Sequence, residues 1–214
     1  MKLAVTKQSL PEERLLIGEL THRIINEFTS LANMMSLATA RTANIEARAA
    51  LAAVMCRLDG YIRVHRALQM PQPGDLVDVS AHLRELCRSM SSSKLEHKNI
   101  HLVLVERPLV LSPEQCWLLE LIVYELINNA ARHAFDEAGG EIRGEVRCVR
   151  GFVECHVSDD GTPPMMARRG RGLRIIEDLT SRLHGRFDQQ FRAGGSTSLV
   201  IFPDGFSESP ASLS

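Results

Sequence analysis

The stretch Glu125-Leu126-Ile127-Asn128-Asn129-Ala130-Ala131-Arg132-His133-Ala134-Phe135 closes a segment that opens with Ser112-Pro113-Glu114-Gln115. A serine hydroxyl can take a free backbone N–H at a helix start, and proline fits the first turn, so the spacing predicts a helix from Ser112 to about Phe135. This helix is apolar on nearly every side until Glu125. At 100° per residue, Glu125, Asn128, Asn129, Arg132 and His133 then fall within an arc of about 140°. A single polar stripe on an otherwise buried helix is either a solvated edge or a wall facing a charged ligand. In the second case Asn129 offers a hard oxygen to Mg²⁺, with the Glu125 carboxylate beside it.

Downstream, alternating apolar residues predict strands at Glu141 to Val149 and Phe152 to Val157. The second runs into Ser158-Asp159-Asp160-Gly161-Thr162-Pro163-Pro164. A carboxylate at a strand end can accept a hydrogen bond from an exocyclic amine of a base, although Asp-Asp-Gly is also ordinary turn chemistry. Gly170-Arg171-Gly172-Leu173 then opens a helix to His184, where free N–H groups and the positive dipole end favour phosphate. That helix is expected to stop at Gly185. A hairpin, Arg186 to Phe191 and Thr197 to Phe202, turns at Ala193-Gly194-Gly195. With a helix around Ser80 to Met90 and a strand at Ile100 to Val105, this half reads as an α+β sandwich.

Upstream the period is purely helical. Ser9-Leu10-Pro11-Glu12 is a helix start, followed by Ile17, Leu20, Ile24, Phe28, Leu31, Met35 and Ala38 at steps of 3 and 4. After a turn capped by Asn44, the stripe Leu51, Met55, Leu58, Ile62, His65 makes a second helix, and the two form an antiparallel hairpin. A further apolar line, Val54, Tyr61, Val64, Leu68, exceeds what one partner helix can cover, so a four-helix bundle built by two chains is expected. Met70-Pro71-Gln72-Pro73-Gly74 cannot continue a helix. The expected domains are therefore a hairpin over 1–70, a linker over 71–76, a sandwich over 77–203 and a frayed tail over 204–214.

Composition narrows the class. The chain has 214 residues, enough for one or two domains, and 44% are hydrophobic, which excludes intrinsic disorder. Basic and acidic residues nearly cancel, 25 against 26, and aromatics are only 5%, so no nucleic-acid partner is expected. The near-apolar run Trp117 to Ile127 is much shorter than the roughly 20 residues of a membrane span, and Met1 to Lys7 lacks a signal-peptide core. A cytoplasmic protein without membrane insertion is expected. Five scattered cysteines without a CxxC pair imply neither a disulfide framework nor a zinc site. His97 and His101, four apart, have no further ligand nearby in sequence.

Taken in order, these segments resemble the histidine-kinase ATP-binding domain of the GHKL (Bergerat) type. Glu125 to Phe135 resembles its N box, Asp159-Asp160-Gly161 its G1 box, Gly170-Arg171-Gly172-Leu173 its G2 box, and Gly195-Ser196-Thr197 its closing Gly-Thr element. The first helix agrees: Glu19-Leu20-Thr21-His22-Arg23-Ile24-Ile25-Asn26 resembles the His-Arg-x-x-Asn box of the HisKA_2/HWE branch. The resemblance covers about residues 12 to 203. It implies ATP and Mg²⁺ as cofactors, with Asn129 on the metal, Asp159 on adenine, and Arg132, His133, Gly161, Gly170, Gly172, Leu173 and Thr197 around the nucleotide. His22 is the implied phosphoacceptor. It lies about 200° around the helix from Leu20 and Ile24, pointing away from that stripe, and neutral imidazole is a competent nucleophile. Glu19, one turn earlier, either orients the ring and accepts its proton or is a surface charge. His65, inside its helix's stripe, reads as structural.

Some positions depart from the pattern. Pro163 replaces the second G1 glycine, the loop from Thr162 to Arg169 is short, and Ile25 stands where Lys is frequent. Arg168, Arg169 and Arg171 either clamp phosphate or are solvated. The first reading is a homodimeric cytoplasmic protein-histidine kinase, passing the ATP γ-phosphoryl to His22 and on to an Asp of a response-regulator receiver. A second is an ATP-independent histidine phosphotransferase relaying phosphate between receivers. A third is a non-catalytic module that sequesters a signalling partner. The length leaves no room for a sensor, so a separate input protein is expected.

Overall fold

The computed structural model describes residues 9–71, 74, 76–162 and 170–206, with side chains from Gly18 onward. Helix α1 (Ser9–Arg41) and helix α2 (Ile45–Ala67) form the expected hairpin. Asn44 caps α2, its side-chain oxygen accepting from the Ala47 N–H at 3.0 Å. Two contacts fix the antiparallel register: the Phe28 and His65 rings meet at a tilt of 43° with centroids 5.8 Å apart, and the Thr39 hydroxyl points at the Met55 sulfur at 3.5 Å. His65 is thus packed within the hairpin, as its place in the stripe suggested.

The α1 stripe is divided differently from expectation. Ile25 is the buried residue, and Thr21, Phe28, Ala32 and Met35 join it against α2. Leu20, Ile24 and Leu31 are instead 53%, 40% and 46% exposed. The apolar positions of α1 therefore cover two faces, and a single helix partner uses only one. The second line on α2 splits as well. Val54 and Tyr61 stay exposed, but Val64 enters the core of the following domain, with Leu68 packed against it. The surplus apolar surface on the last two turns of α2 is covered within the chain.

That junction is close. A Cβ on Gly60 would sit 2.3 Å from the Ser93 Cβ, and the Trp117 indole donates to the Leu68 carbonyl at 3.0 Å. Of the expected linker, Gln72, Pro73 and Asp75 lie outside the described residues.

The second half contains β1 (Val77–Asp78), α3 (Val79–Met90), β2 (Ile100–Val105), β3 (Val110–Leu111), α4 (Pro113–His133), β4 (Gly140–Val149), β5 (Phe152–Asp159), α5 (Arg171–Arg182), β6 (Arg186–Arg192) and β7 (Gly195–Pro203). Ser112 caps α4 by accepting from the Gln115 N–H. The main sheet runs β2-β4-β5-β7-β6, with β2 parallel to β4 and every other neighbour antiparallel. Alternation sends Ile142, Val146, Val153, Cys155, Val157, Val200 and Phe202 to one face, where α3, α4 and α5 cover them. The other face carries charge, with Arg147 bonded to Glu154 at 2.8 Å. This is the expected α+β sandwich of two layers.

Small elements escaped the sequence reading. The pair β1/β3 is only two residues long, and a π-helical turn (Ser91–Leu95) followed by a 3₁₀ turn (Glu96–Lys98) extends α3. Asp204, assigned to the tail, is buried and accepts from the Phe206 N–H at 2.9 Å. The rest of the tail, 207–214, lies outside the described residues. Gly185 does not itself turn the chain: His184 takes the left-handed conformation (φ 55°), while Gly185 permits a close approach, its Cβ position being 2.5 Å from the Ile201 carbonyl.

Candidate functional site

A cavity of about 360 Å³ opens between the C-terminal half of α4, the N-terminus of α5 and the ends of β5, β6 and β7. Sheet order puts it there: β5 is central, and its last residue, Asp159, emerges between α4 on one side and the β6/β7 hairpin on the other. Asp159 is held from three directions. Its Oδ1 accepts from the Gly161 N–H at 3.1 Å and the Ser196 N–H at 3.2 Å, and its Oδ2 accepts from the Ser196 hydroxyl at 2.5 Å. Gly195 makes this possible. Its φ is +125°, and a Cβ there would lie 1.8 Å from the Asp159 carbonyl oxygen, so only glycine brings β7 this close.

On the opposite wall, Asn129 faces the first turn of α5. A Cβ on Gly172 would stand 2.8 Å from Asn129 Oδ1 and 3.3 Å from Glu125 Oε2, so the glycine leaves room for the two oxygen-bearing side chains. Half-burial raises the Glu125 pKa, with Lys94 and Arg132 pulling it back. Gly170 caps α5 with no side-chain hydrogen bond, so the helix presents free N–H groups at the cavity rim. Gly161 serves closeness: its Cβ would be 2.1 Å from the Ala134 carbonyl, which also accepts from the Thr162 N–H at 2.7 Å.

The expected residues are largely assembled. Asn129, Arg132, His133, Asp159, Gly170, Gly172 and Leu173 line the cavity, with Glu125 and Gly161 directly behind. Thr197 does not. It is exposed, and the two-residue period of β7 sends Ser196 and Ser198 into the cavity instead. Asn128, part of the polar stripe, is drawn away by Lys94, whose ammonium donates to Asn128 Oδ1 at 3.1 Å and to the Tyr124 hydroxyl at 2.9 Å. Lys94, Ser196 and Ser198 were missed. The alternation of β7 pointed to the serines, whereas Lys94 lies in the π-helical turn, for which no local signal exists. Arg168 and Arg169 lie outside the described residues.

His22 is exposed on α1, with its Nδ1 3.2 Å from the Asn26 amide nitrogen one turn on. Glu19 pairs with Arg23 at 2.9 Å. Among the described residues, no helix is long and apolar enough to cross a membrane.

Comparison with known proteins agrees with this geometry. Residues 82–198 match the family described as "Histidine kinase-like ATPase domain", and residues 19–94 match HisKA_2, "Histidine kinase". Sensor histidine kinase PdtaS of Mycobacterium tuberculosis is 29% identical over 172 residues, 77% of this chain and 34% of that protein. The chain thus spans about a third of the length of this relative. Among solved structures, the histidine kinase domain of the Erythrobacter litoralis EL346 blue-light activated histidine kinase superposes with a TM-score of 0.57 at 17% identity, covering 83% of this chain and 96% of that one. Full-length ShkA in complex with AMPPNP gives 0.51 at 18% identity, covering 90% and 46%. These likenesses show the fold; the match over residues 82–198, with the HisKA_2 match before it, shows that this chain belongs to the histidine kinase family, a HisKA_2 region leading into a histidine kinase-like ATPase domain.

Proposed function

We propose that the chain is a dimeric, cytoplasmic protein-histidine kinase that transfers the γ-phosphoryl of ATP to His22 and then to an aspartate of a response-regulator receiver. The observation that carries this reading is the cavity itself, with a fixed carboxylate at one end and an amide, a carboxylate and a helix N-terminus at the other. The cavity chemistry fits Mg²⁺-ATP. Asp159, both oxygens immobilised by Ser196 and Gly161, is an acceptor for the adenine amine. Asn129 and Glu125 offer the hard oxygens Mg²⁺ prefers, and the first turn of α5 offers backbone N–H groups to phosphate. Bound Mg²⁺ would neutralise phosphate charge as the bridging bond weakens. ShkA, whose fold is similar, was solved in complex with AMPPNP, an ATP analogue, which is in keeping with this reading.

At His22 the ring is held through Nδ1 by the Asn26 amide. The amide nitrogen donates to Nδ1, so in the neutral ring the proton sits on the outward Nε2 and leaves as that nitrogen attacks phosphorus. The N–P bond forms, the bond to the β-phosphate bridging oxygen breaks, ADP leaves, and the surplus ring proton passes to water. Glu19, paired with Arg23, holds a charge one turn away. Dimerisation would cover Leu20, Ile24 and Leu31, which the hairpin leaves in water. Five unpaired cysteines suit a reducing compartment.

The test is incubation with γ-labelled ATP and Mg²⁺, alongside His22→Ala and Asp159→Asn. Label on the unaltered chain that is lost from both variants supports the kinase. Absence of label, with phosphate acquired at His22 from a phosphorylated receiver, would establish the relay instead.

A further inference from the structure

Away from the nucleotide cavity, α3 and α4 bring together three side chains that the phosphotransfer chemistry does not use. His82 on α3 and Cys116 and Glu120 on α4 each present one ligand atom, and these atoms all lie within 4.8 Å of one another. Cys116 and Glu120 are one turn apart on the same face of α4 and fully buried, while His82 is about one-third exposed at its side chain. Glu120 Oε1 lies 2.9 Å from His82 Nδ1, but Glu120 Oε2, equally buried, has no hydrogen-bond partner among the described residues. A buried carboxylate oxygen without a partner is costly, and one more electropositive group at this point would remove the cost.

We propose that His82, Cys116 and Glu120 form a binding site for one divalent cation of the zinc class, joining α3 to α4. The donor set selects the ion. Imidazole nitrogen and thiolate sulfur suit zinc, whereas Mg²⁺ and Ca²⁺ require oxygens. The geometry is near to closure: three points no more than 4.8 Å apart have a common centre at most about 2.8 Å from each, against ~2.0–2.3 Å for zinc bonds, so shifts of about 0.5–0.8 Å suffice. The exposed edge of His82 gives both an entry path and the side chain most able to move. Cys116 gives up its thiol proton to solvent as it ligates, and the fourth position of the tetrahedron falls to water. The consequence is mechanical. The ion would pin the N-terminal half of α4, whose C-terminal half carries Glu125 and Asn129, to the helix that follows the hairpin. This inference stands independently of phosphotransfer.

The test uses the full chain in a Cys56→Ser/Cys148→Ser background, which removes the two exposed thiols. The metal-depleted protein is titrated with Zn²⁺ by calorimetry without nucleotide, and with Co²⁺ to look for the thiolate-to-cobalt charge-transfer band. We expect one ion per chain, a thiolate band, and loss of both in Cys116→Ala and His82→Ala. His82→Ala is the decisive variant because its partly exposed side chain can be removed without opening the core; circular dichroism confirms its fold. No binding by the background chain would overturn the proposal, as would one-to-one binding that persists in folded His82→Ala.

Discussion

The Ser196 hydroxyl lies 2.5 Å from Asp159 Oδ2, on the β7 strand that pairs with β5 at Asp159↔Ser196. Neighbouring strands therefore fix the rotamer of the carboxylate at this end of the cavity. Hydrogen bonds to charged groups contribute about 1.5–3 kcal/mol, so Ser196→Ala should weaken nucleotide binding by about tenfold to a hundredfold. Thr197→Ala, on the other face of the strand, should leave it unchanged. Titration with a fluorescent ATP analogue separates the two, and equal effects would contradict the assignment of Ser196.

Gly172 offers a sharper separation of stability from function. An alanine in the first turn of α5 should stabilise the helix by about 0.5–1 kcal/mol, yet its methyl would stand 2.8 Å from Asn129 Oδ1. We expect Gly172→Ala to keep or raise the melting temperature while Mg²⁺-ATP binding falls at least tenfold. Binding that survives intact would show that Asn129 does not hold the metal.

His65 sets a pH dependence. Burial against Phe28, and secondarily the charge of Lys94, lower its pKa from 6.5. The unfolded chain then binds more protons than the folded one below about pH 6.5, so stability falls as pH drops through that window and is fully present above it. His65→Leu should flatten this slope in chemical denaturation at pH 5.5 and 7.5. An unchanged slope would move the acid sensitivity to another group.

The exposed line Leu20, Ile24, Leu31 should be the dimer seam. Leu31→Glu places a charge on that face without touching the α1/α2 contact, so light scattering should report a monomer with the helical signal preserved. A dimer that persists at micromolar concentration would place the seam elsewhere.

Much of the fold was legible because its signals are local. The caps at Asn44 and Ser112, the period of α4 and the alternation of β4, β5 and β7 each depend on residues a few positions apart. Most of the candidate site was legible for the same reason, since Glu125 and Asn129 share one face of α4 and Gly170 to Leu173 open α5. What failed was partition among partners. The periodicity of α1 shows that Leu20, Ile24 and Ile25 are apolar but not which neighbour each meets, and the family resemblance points to Thr197 whereas strand parity turns Ser196 to the cavity.

By itself, then, the sequence determined the order of the longer elements, the polar stripe of α4 and the glycine-rich start of α5, because covalent spacing and backbone periods alone govern these. Only the tertiary structure decided that Val64 joins the C-terminal core, that Lys94 takes Asn128 out of the site, and that His82, Cys116 and Glu120 converge. Those relationships join residues about 30 or more positions apart, and their distances are set by how buried surfaces of different elements close on one another, a quantity no local period encodes.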